Sequence, residues 1–204
     1  FKLRHPKVSL TQDYWFRYRN WDFASQVFGR DRLDLQTATG QLIKETWRYN
    51  DQTQQEINAR IASLNLPEHY VGVHIRGGDK FTEARLMEIN LYVEKIESLS
   101  DIKSVFVLTD DYRIMESLKE MRPEWNLYTL CRPEEQGYFH DQFERVDLDQ
   151  RKEDHLKLFS SIEAIANASL FVGTYTSNPG MYLGMRLGNE RCFGVDADKW
   201  LLMW

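Results

Sequence analysis

The string VGVHIRGGDK, from Val71 to Lys80, gathers the groups of this sequence best suited to hold an anion. Arg76 offers a fixed cation whose planar fork matches phosphate oxygens. Gly77 and Gly78 let the backbone come close to a ligand, and Asp79 and Lys80 add a charged pair. A Gly-Gly pair alone marks a turn, and Arg-x-x-Asp alone marks a surface ion pair. Directly after the β-branched run from Tyr70 to Ile75, the whole string points to a diphosphate site at a strand end. Two more polar strings follow strand-like runs. Thr109, Asp110 and Asp111 follow Ser104 to Leu108, and their carboxylates can cap the next helix or accept hydrogen bonds from a ligand or from His and Arg neighbours. Thr174 to Pro179 follows Leu170 to Gly173. Pro179 fits a first helical turn with Ser177 or Asn178 as its cap, and the free N–H groups and hydroxyls of Thr176 and Ser177 make either a phosphate cradle or a plain N-cap.

Other chemistry-bearing residues are less organised. Asp196 with Asp198, and Asp147 with Asp149, each have the Asp-x-Asp form that can hold a divalent cation against a diphosphate, but the form is short and both pairs are expected in solvated loops. His5, His69, His140 and His155 show no ligand spacing and are read as structural or exposed. Cys131 and Cys192 lack the spacing of a zinc site and are expected to be buried thiols. No metal and no cofactor are expected. Tryptophans at 15, 21, 47, 125, 200 and 204 are expected to pack in the core.

These strings need a scaffold that brings strand ends together. From Tyr70 onward, short β-branched runs alternate with amphipathic segments, the pattern of βα units on a parallel sheet. Strands are expected at 70–75, 104–108, 127–130, 170–173 and 192–195, and helices at 82–98, 112–121, 154–168 and 178–187. In such a sheet, ligands sit beyond the carboxyl ends of the strands. The fold class is therefore α/β, a Rossmann-like parallel sheet with a helical N-terminal segment. Residues 1–66 form that loop-rich and helical segment, with apolar spacing at Leu42, Ile43, Trp47 and at Ile57, Ile61, Leu64. Residues 67–204 form the ligand-binding domain, and 132–150 is its one long loop.

Composition narrows the partners. With 204 residues, 42% of them hydrophobic, the chain can bury a sizeable core. A net charge of -5 excludes the broad basic field that nucleic acid requires. No stretch approaches the roughly 20 apolar residues of a membrane span, so a soluble domain of the cytoplasm or of the secretory-pathway lumen is expected. The sequence opens on Phe1 rather than methionine, and an N-terminal part is expected to be absent.

Taken together, the motifs resemble the donor-binding half of the α1,6-fucosyltransferase and nodulation fucosyltransferase family, relatives of the protein O-fucosyltransferases with the GT-B architecture. The resemblance covers residues from about 40 to 190. His74, Arg76, Asp79 and Lys80 match the first motif, followed by Thr82, Glu83, Ala84 and Tyr92. Thr109 to Asp111 match the second, and Thr174 to Asn178 the third. The resemblance implies inverting, metal-independent transfer of fucose from GDP-fucose to a glycan or protein hydroxyl. It implies that Arg76, helped by Ser177 and the helix start, neutralises the leaving diphosphate, and that His74 contacts the nucleoside. Glu83, supported by Lys80, becomes the general base, while Gly78, Asp79, Tyr92, Asp110, Asp111, Thr176 and Asn178 complete the pocket.

Two departures stand out. Gly77 occupies the place of the family's second arginine, and Ser161 that of the aspartate suited to the guanine edge, with Asp154 two turns earlier on the helix. A non-catalytic nucleotide-sugar-binding module and a transferase with another donor stay open beside this reading. So does a metal-dependent transferase built on Asp196 and Asp198.

Overall fold

The computed structural model describes residues 35–77, 86–138, 146–198 and 200. Two helices come first, α1 (Leu35–Thr46) and α2 (Asp51–Ser63). The βα units follow as β1 (Val71–His74), α3 (Ile89–Leu99), β2 (Ser104–Leu108), α4 (Tyr112–Met121), β3 (Asn126–Tyr128), α5 (Leu148–Asn167), β4 (Leu170–Gly173), α6 (Asn178–Leu187) and β5 (Cys192–Gly194). All five strands are parallel, in the order β3-β2-β1-β4-β5. The chain builds outward from β1 to β3, then returns to place β4 on the other side of β1. The direction of winding therefore reverses between β1 and β4, where a crevice opens at the carboxyl ends.

Period-two alternation sorts the strand side chains into two cores. Val71, Val73, Val105 and Val107 face Tyr92, Val93 and Ile96 of α3 and Ile114, Met115 and Leu118 of α4. Phe106, Leu108 and Phe171 face Ile162 and Ile165 of α5 and Leu183 of α6. Gly72 makes the second face possible, because a Cβ there would lie 2.9 Å from Ile165 Cγ2. The outer helices cover this second layer. Gln36 of α1 donates to the Gly184 carbonyl of α6 at 2.8 Å, and Arg60 of α2 pairs with Glu153 of α5.

Local signals set most boundaries. Asp111 caps α4 by accepting from Arg113 N–H at 3.0 Å, and Ser177 caps α6 by accepting from Gly180 N–H at 3.3 Å. Both helices match their expected bounds. The sequence places the start of α5 at 154, but the helix begins at Leu148. Asp147 is its cap, accepting from Gln150 N–H at 2.8 Å, with Asp149 in the first turn. The pair Asp147 and Asp149 thus opens a helix rather than lying in a solvated loop. The helix expected over 82–98 begins at Ile89, with 86–88 non-helical and 82–85 outside the described residues. Cys131 and Cys192 are buried free thiols, as expected. Among the described residues, no helix is long and apolar enough to cross a membrane.

Candidate active site at the carboxyl ends of the strands

Three strand ends are joined by polar contacts around the crevice. His74 closes β1 with its ring buried, its Nδ1 3.3 Å from Ser177 Oγ at the start of α6. This contact spans the point where winding reverses. On the other side of β1, the Gly77 N–H donates to Asp110 Oδ1 at 2.7 Å. The same carboxylate accepts from Tyr138 N–H at 2.9 Å on Oδ2, and the Asp110 carbonyl accepts from Gly137 N–H at 2.7 Å. Asp110 thereby ties the end of β1 to the loop after β3.

Arg76 projects from this junction. Its Nε lies 3.9 Å from Asp110 Oδ2, and its guanidinium carbon sits 5.5 Å from the centre of the Tyr138 ring. The side chain is a quarter exposed. A quarter-exposed cation beside a carboxylate and an aromatic face is held without being sealed off. The loop carrying Tyr138 is itself fixed: Glu135 accepts from Lys157 of α5 at 2.5 Å and from Arg132 at 2.8 Å.

Asp111 differs from its neighbour. It is buried, and it caps α4 while pairing with Arg113, whose Nε lies 2.8 Å from Oδ1. The Arg113 hydrogen bond, opposed by burial and helped by the Arg113 charge, holds its carboxyl below the ordinary carboxylate value. Gly77 explains the tight approach of these strand ends. A Cβ on Gly77 would sit 3.1 Å from Asp111 Cβ, so a side chain at this position requires the Asp111 side chain to give by a few tenths of an ångström.

At the end of β4 the chain turns sharply into α6. Ser177 is buried and donates to the Thr174 carbonyl at 2.9 Å. Gly180 is required by the same turn, since a Cβ there would lie 1.8 Å from the Thr174 carbonyl oxygen. Pro179 has no N–H, and that of Gly180 goes to Ser177. At this helix start Ser177 is buried and Asn178 is exposed, so Asn178 is the residue of the turn that meets solvent. The Tyr175 N–H donates to Asp196 Oδ1 and the Thr176 N–H to Asp196 Oδ2, both at 2.9 Å. Asp196 is thus engaged by backbone, not paired with Asp198. Among the described residues, no group of three or more His, Cys, Asp or Glu could hold a metal ion.

The remaining expected residues lie in the core or along α5. Tyr92 is buried in the core under the ends of β4 and β5, and burial, reinforced by the Asp196 charge, pushes its phenol well above the ordinary value. Ser161 is buried on α5 and donates back to the Lys157 carbonyl at 2.8 Å. Asp154 accepts from Gln150 at 2.9 Å on the same helix. Gly78, Asp79, Lys80 and Glu83 lie outside the described residues. The structure therefore brings His74, Arg76, Asp110, Thr176, Ser177 and Asn178 to one end of the sheet. It places Tyr92, Asp111 and Ser161 beneath that end or in its helices.

Residues 37–143, slightly more than half of the chain, match the model of the alpha-(1,6)-fucosyltransferase N- and catalytic domains. The chain belongs to this fucosyltransferase family. The matched segment holds the first two fucosyltransferase motifs, whereas the turn from Thr174 to Asn178 lies beyond it. No curated protein matches the chain. Among solved structures, the fucosyltransferase-family chain is similar to POFUT1 in its apo form, at 15% identity and a TM-score of 0.45, covering 77% of this chain and 48% of that one. It is also similar to POFUT1 in complex with GDP, at 15% identity and a TM-score of 0.41, covering 68% and 44%. With POFUT1 in complex with GDP-fucose the figures are 15%, 0.43, 68% and 43%. The chain thus spans less than half the length of these solved structures.

Two residues of this site were not singled out by sequence reasoning. Tyr138 lies in the long loop that the sequence marked as a candidate, but nothing in its neighbours indicates an aromatic face over Arg76. Asp196 carried a signal only as part of an Asp-x-Asp string, which suggested a metal rather than a backbone clamp.

Proposed function

We propose that this chain is the donor-binding part of a fucosyltransferase, moving L-fucose from GDP-fucose to a hydroxyl of a glycan or protein acceptor with inversion and without a metal. The single observation that carries the reading is the place of Arg76. It stands at the end of β1, beside the reversal point of the sheet, in a chain of the fucosyltransferase family.

In the reaction, the acceptor oxygen bonds to the anomeric carbon as that carbon's bond to the β-phosphate oxygen breaks. The electron pair leaves with the diphosphate, where the Arg76 guanidinium meets the growing charge. Ser177, through the turn that it caps, and the helix start at Asn178 assist from the facing strand end. His74 contacts the nucleoside side. Glu83, supported by Lys80, takes the acceptor proton. Gly78, Asp79, Asp110, Thr176 and Asn178 complete the donor pocket. The buried contacts of Tyr92, Asp111 and Ser161 support a part in shaping that pocket.

One observation favours a second reading. At Gly77 the family's second cation is missing and a side chain there would crowd Asp111, which suits a module that binds a nucleotide-sugar without turning it over. Incubation with GDP-fucose in chelator decides between them. Release or transfer of fucose that disappears in Arg76→Ala and in Glu83→Gln supports the enzyme. Binding without turnover supports the module, and strict need for a divalent cation overturns the metal-free mechanism.

A further inference from the structure

We propose that Asp196 is the positioning residue of the diphosphate cradle, holding the turn between β4 and α6 in the shape that lets the exposed helix start at Asn178 receive phosphate. The inference rests on the donor-binding reading above and extends it to a residue outside all three motifs and outside the family-matched segment.

Asp196 uses both carboxylate oxygens on consecutive N–H groups, those of Tyr175 and Thr176, at 2.9 Å each. Two adjacent amides converging on one anion form a small concave nest, a shape that attracts phosphate as readily as carboxylate. Here the nest is filled from within. Phosphate must therefore be met beyond the nest, at the exposed Asn178 that opens α6, with the buried Ser177 holding the turn through its bonds to the Thr174 carbonyl and the Gly180 N–H.

The surroundings are built for this contact. The ladder between β4 and β5 continues one step past the strands through Val195 N–H to the Gly173 carbonyl at 2.9 Å, which delivers residue 196 beside residue 175. Gly194 permits the fold-back, because a Cβ there would lie 2.4 Å from the Ala197 carbonyl oxygen and 2.6 Å from Tyr175 Cε2. The Tyr175 ring is buried beneath the turn, and its hydroxyl donates to the Cys192 carbonyl at 3.1 Å. The turn is thus fixed from below by a ring and from its outer side by a carboxylate. Releasing the carboxylate loosens, without fully freeing, the backbone of two residues above the buried Tyr175 ring, and re-ordering them on binding weakens affinity by about tenfold.

The alternatives differ in sign or in scope. A carboxylate that acted mainly by repelling the diphosphate would be improved upon by asparagine. A metal ligand would share its role with Asp198 across the cleft of about 430 Å³ that both residues line with Glu94 and Lys95. A purely structural residue would alter melting temperature without altering affinity in the folded state.

The test is titration of GDP into wild type, Asp196→Ala, Asp196→Asn and Asp198→Asn, in chelator and in magnesium, at a temperature where circular dichroism shows each variant folded. We expect GDP affinity to fall about tenfold in Asp196→Ala. Asp196→Asn, which keeps one acceptor oxygen, should lie between it and wild type, and Asp198→Asn should bind as wild type. If Asp196→Ala does not fold, the asparagine variant alone decides. Unchanged or tighter GDP binding by the folded Asp196 variants overturns the proposal while leaving the donor-binding reading intact. Equal loss in Asp198→Asn, restored by magnesium in wild type only, replaces it with a metal site. A wild-type chain that binds no nucleoside diphosphate overturns the donor-binding reading, and this inference with it.

Discussion

The ends of β1 and β2 and the end of β4 face the same crevice, yet they are stabilised by opposite means. On the first side, side chains do the holding: Asp110 gathers three backbone N–H groups from two segments, and Arg76 is kept between that carboxylate and the Tyr138 ring. On the second side the working surface is backbone, and side chains serve only to shape it, through the Ser177 cap, the close approach at Gly180 and the Asp196 clamp. A charged side tolerates small shifts, because a guanidinium on a long stem can follow its ligand. A backbone side does not, because its donors are fixed by the turn itself.

The largest expected effect tests the rigid side. Gly180→Ala drives a methyl against the Thr174 carbonyl, and should cost about 3 kcal/mol, a fall in melting temperature of roughly 6–12 °C, measured by calorimetry. A neutral result would show that the turn is as yielding as the opposite side. Next comes the adaptable side: Arg76→Ala should leave melting temperature almost unchanged but weaken GDP binding by on the order of 2 kcal/mol, about 30-fold, by titration calorimetry. Large destabilisation instead would make Arg76 a structural residue.

A smaller effect concerns acid. Asp111 has a folded-state pKa below its unfolded value of 3.8, so its contribution is complete above that value and is lost as pH falls through the folded one. Asp111→Asn should therefore remain a less stable protein near neutrality, and should show a shallower loss of stability than wild type below about pH 4 in denaturant titrations. A parallel pair of curves would mean that Arg113 does not perturb this group. The smallest effect uses the two buried thiols, Cys131 beneath the first side and Cys192 beneath the second. Burial pushes each thiol up to about 12, with Glu135 adding to the rise at Cys131. Both should resist alkylation at neutral pH, and Cys131, more exposed at 8% against 3%, should be the first labelled. Earlier labelling of Cys192 would place the looser side at β4.

Much of the sheet is legible in the sequence because its signals are local. The continuous apolar run of β2, and the caps Asp111 and Ser177, need no distant partner to be recognised, and α4 and α6 begin where those residues dictate. The first turns of α5 are not legible from apolar spacing, since Leu148 is exposed and the Asp147 cap resembles a metal motif. The candidate site divides similarly. Arg76 and Ser177 stand out by type and by their place after strands. Tyr138 and Asp196 act through contacts with residues far away in sequence, at Arg76 and at Tyr175, and only the fold brings these together. Gly77 reads as a missing cation in the sequence, and in the structure as the place where β1 closes onto Asp111.

The most direct measurement is a thermal-shift panel of GDP, UDP, ADP and TDP, each with chelator and with magnesium, on wild type and Arg76→Ala. Binding to the native state raises melting temperature. GDP should raise it in wild type equally with and without magnesium, more than the other nucleotides, and should raise it much less in Arg76→Ala. No shift with any nucleoside diphosphate, or a GDP shift undiminished in Arg76→Ala, would contradict a diphosphate site centred on the end of β1.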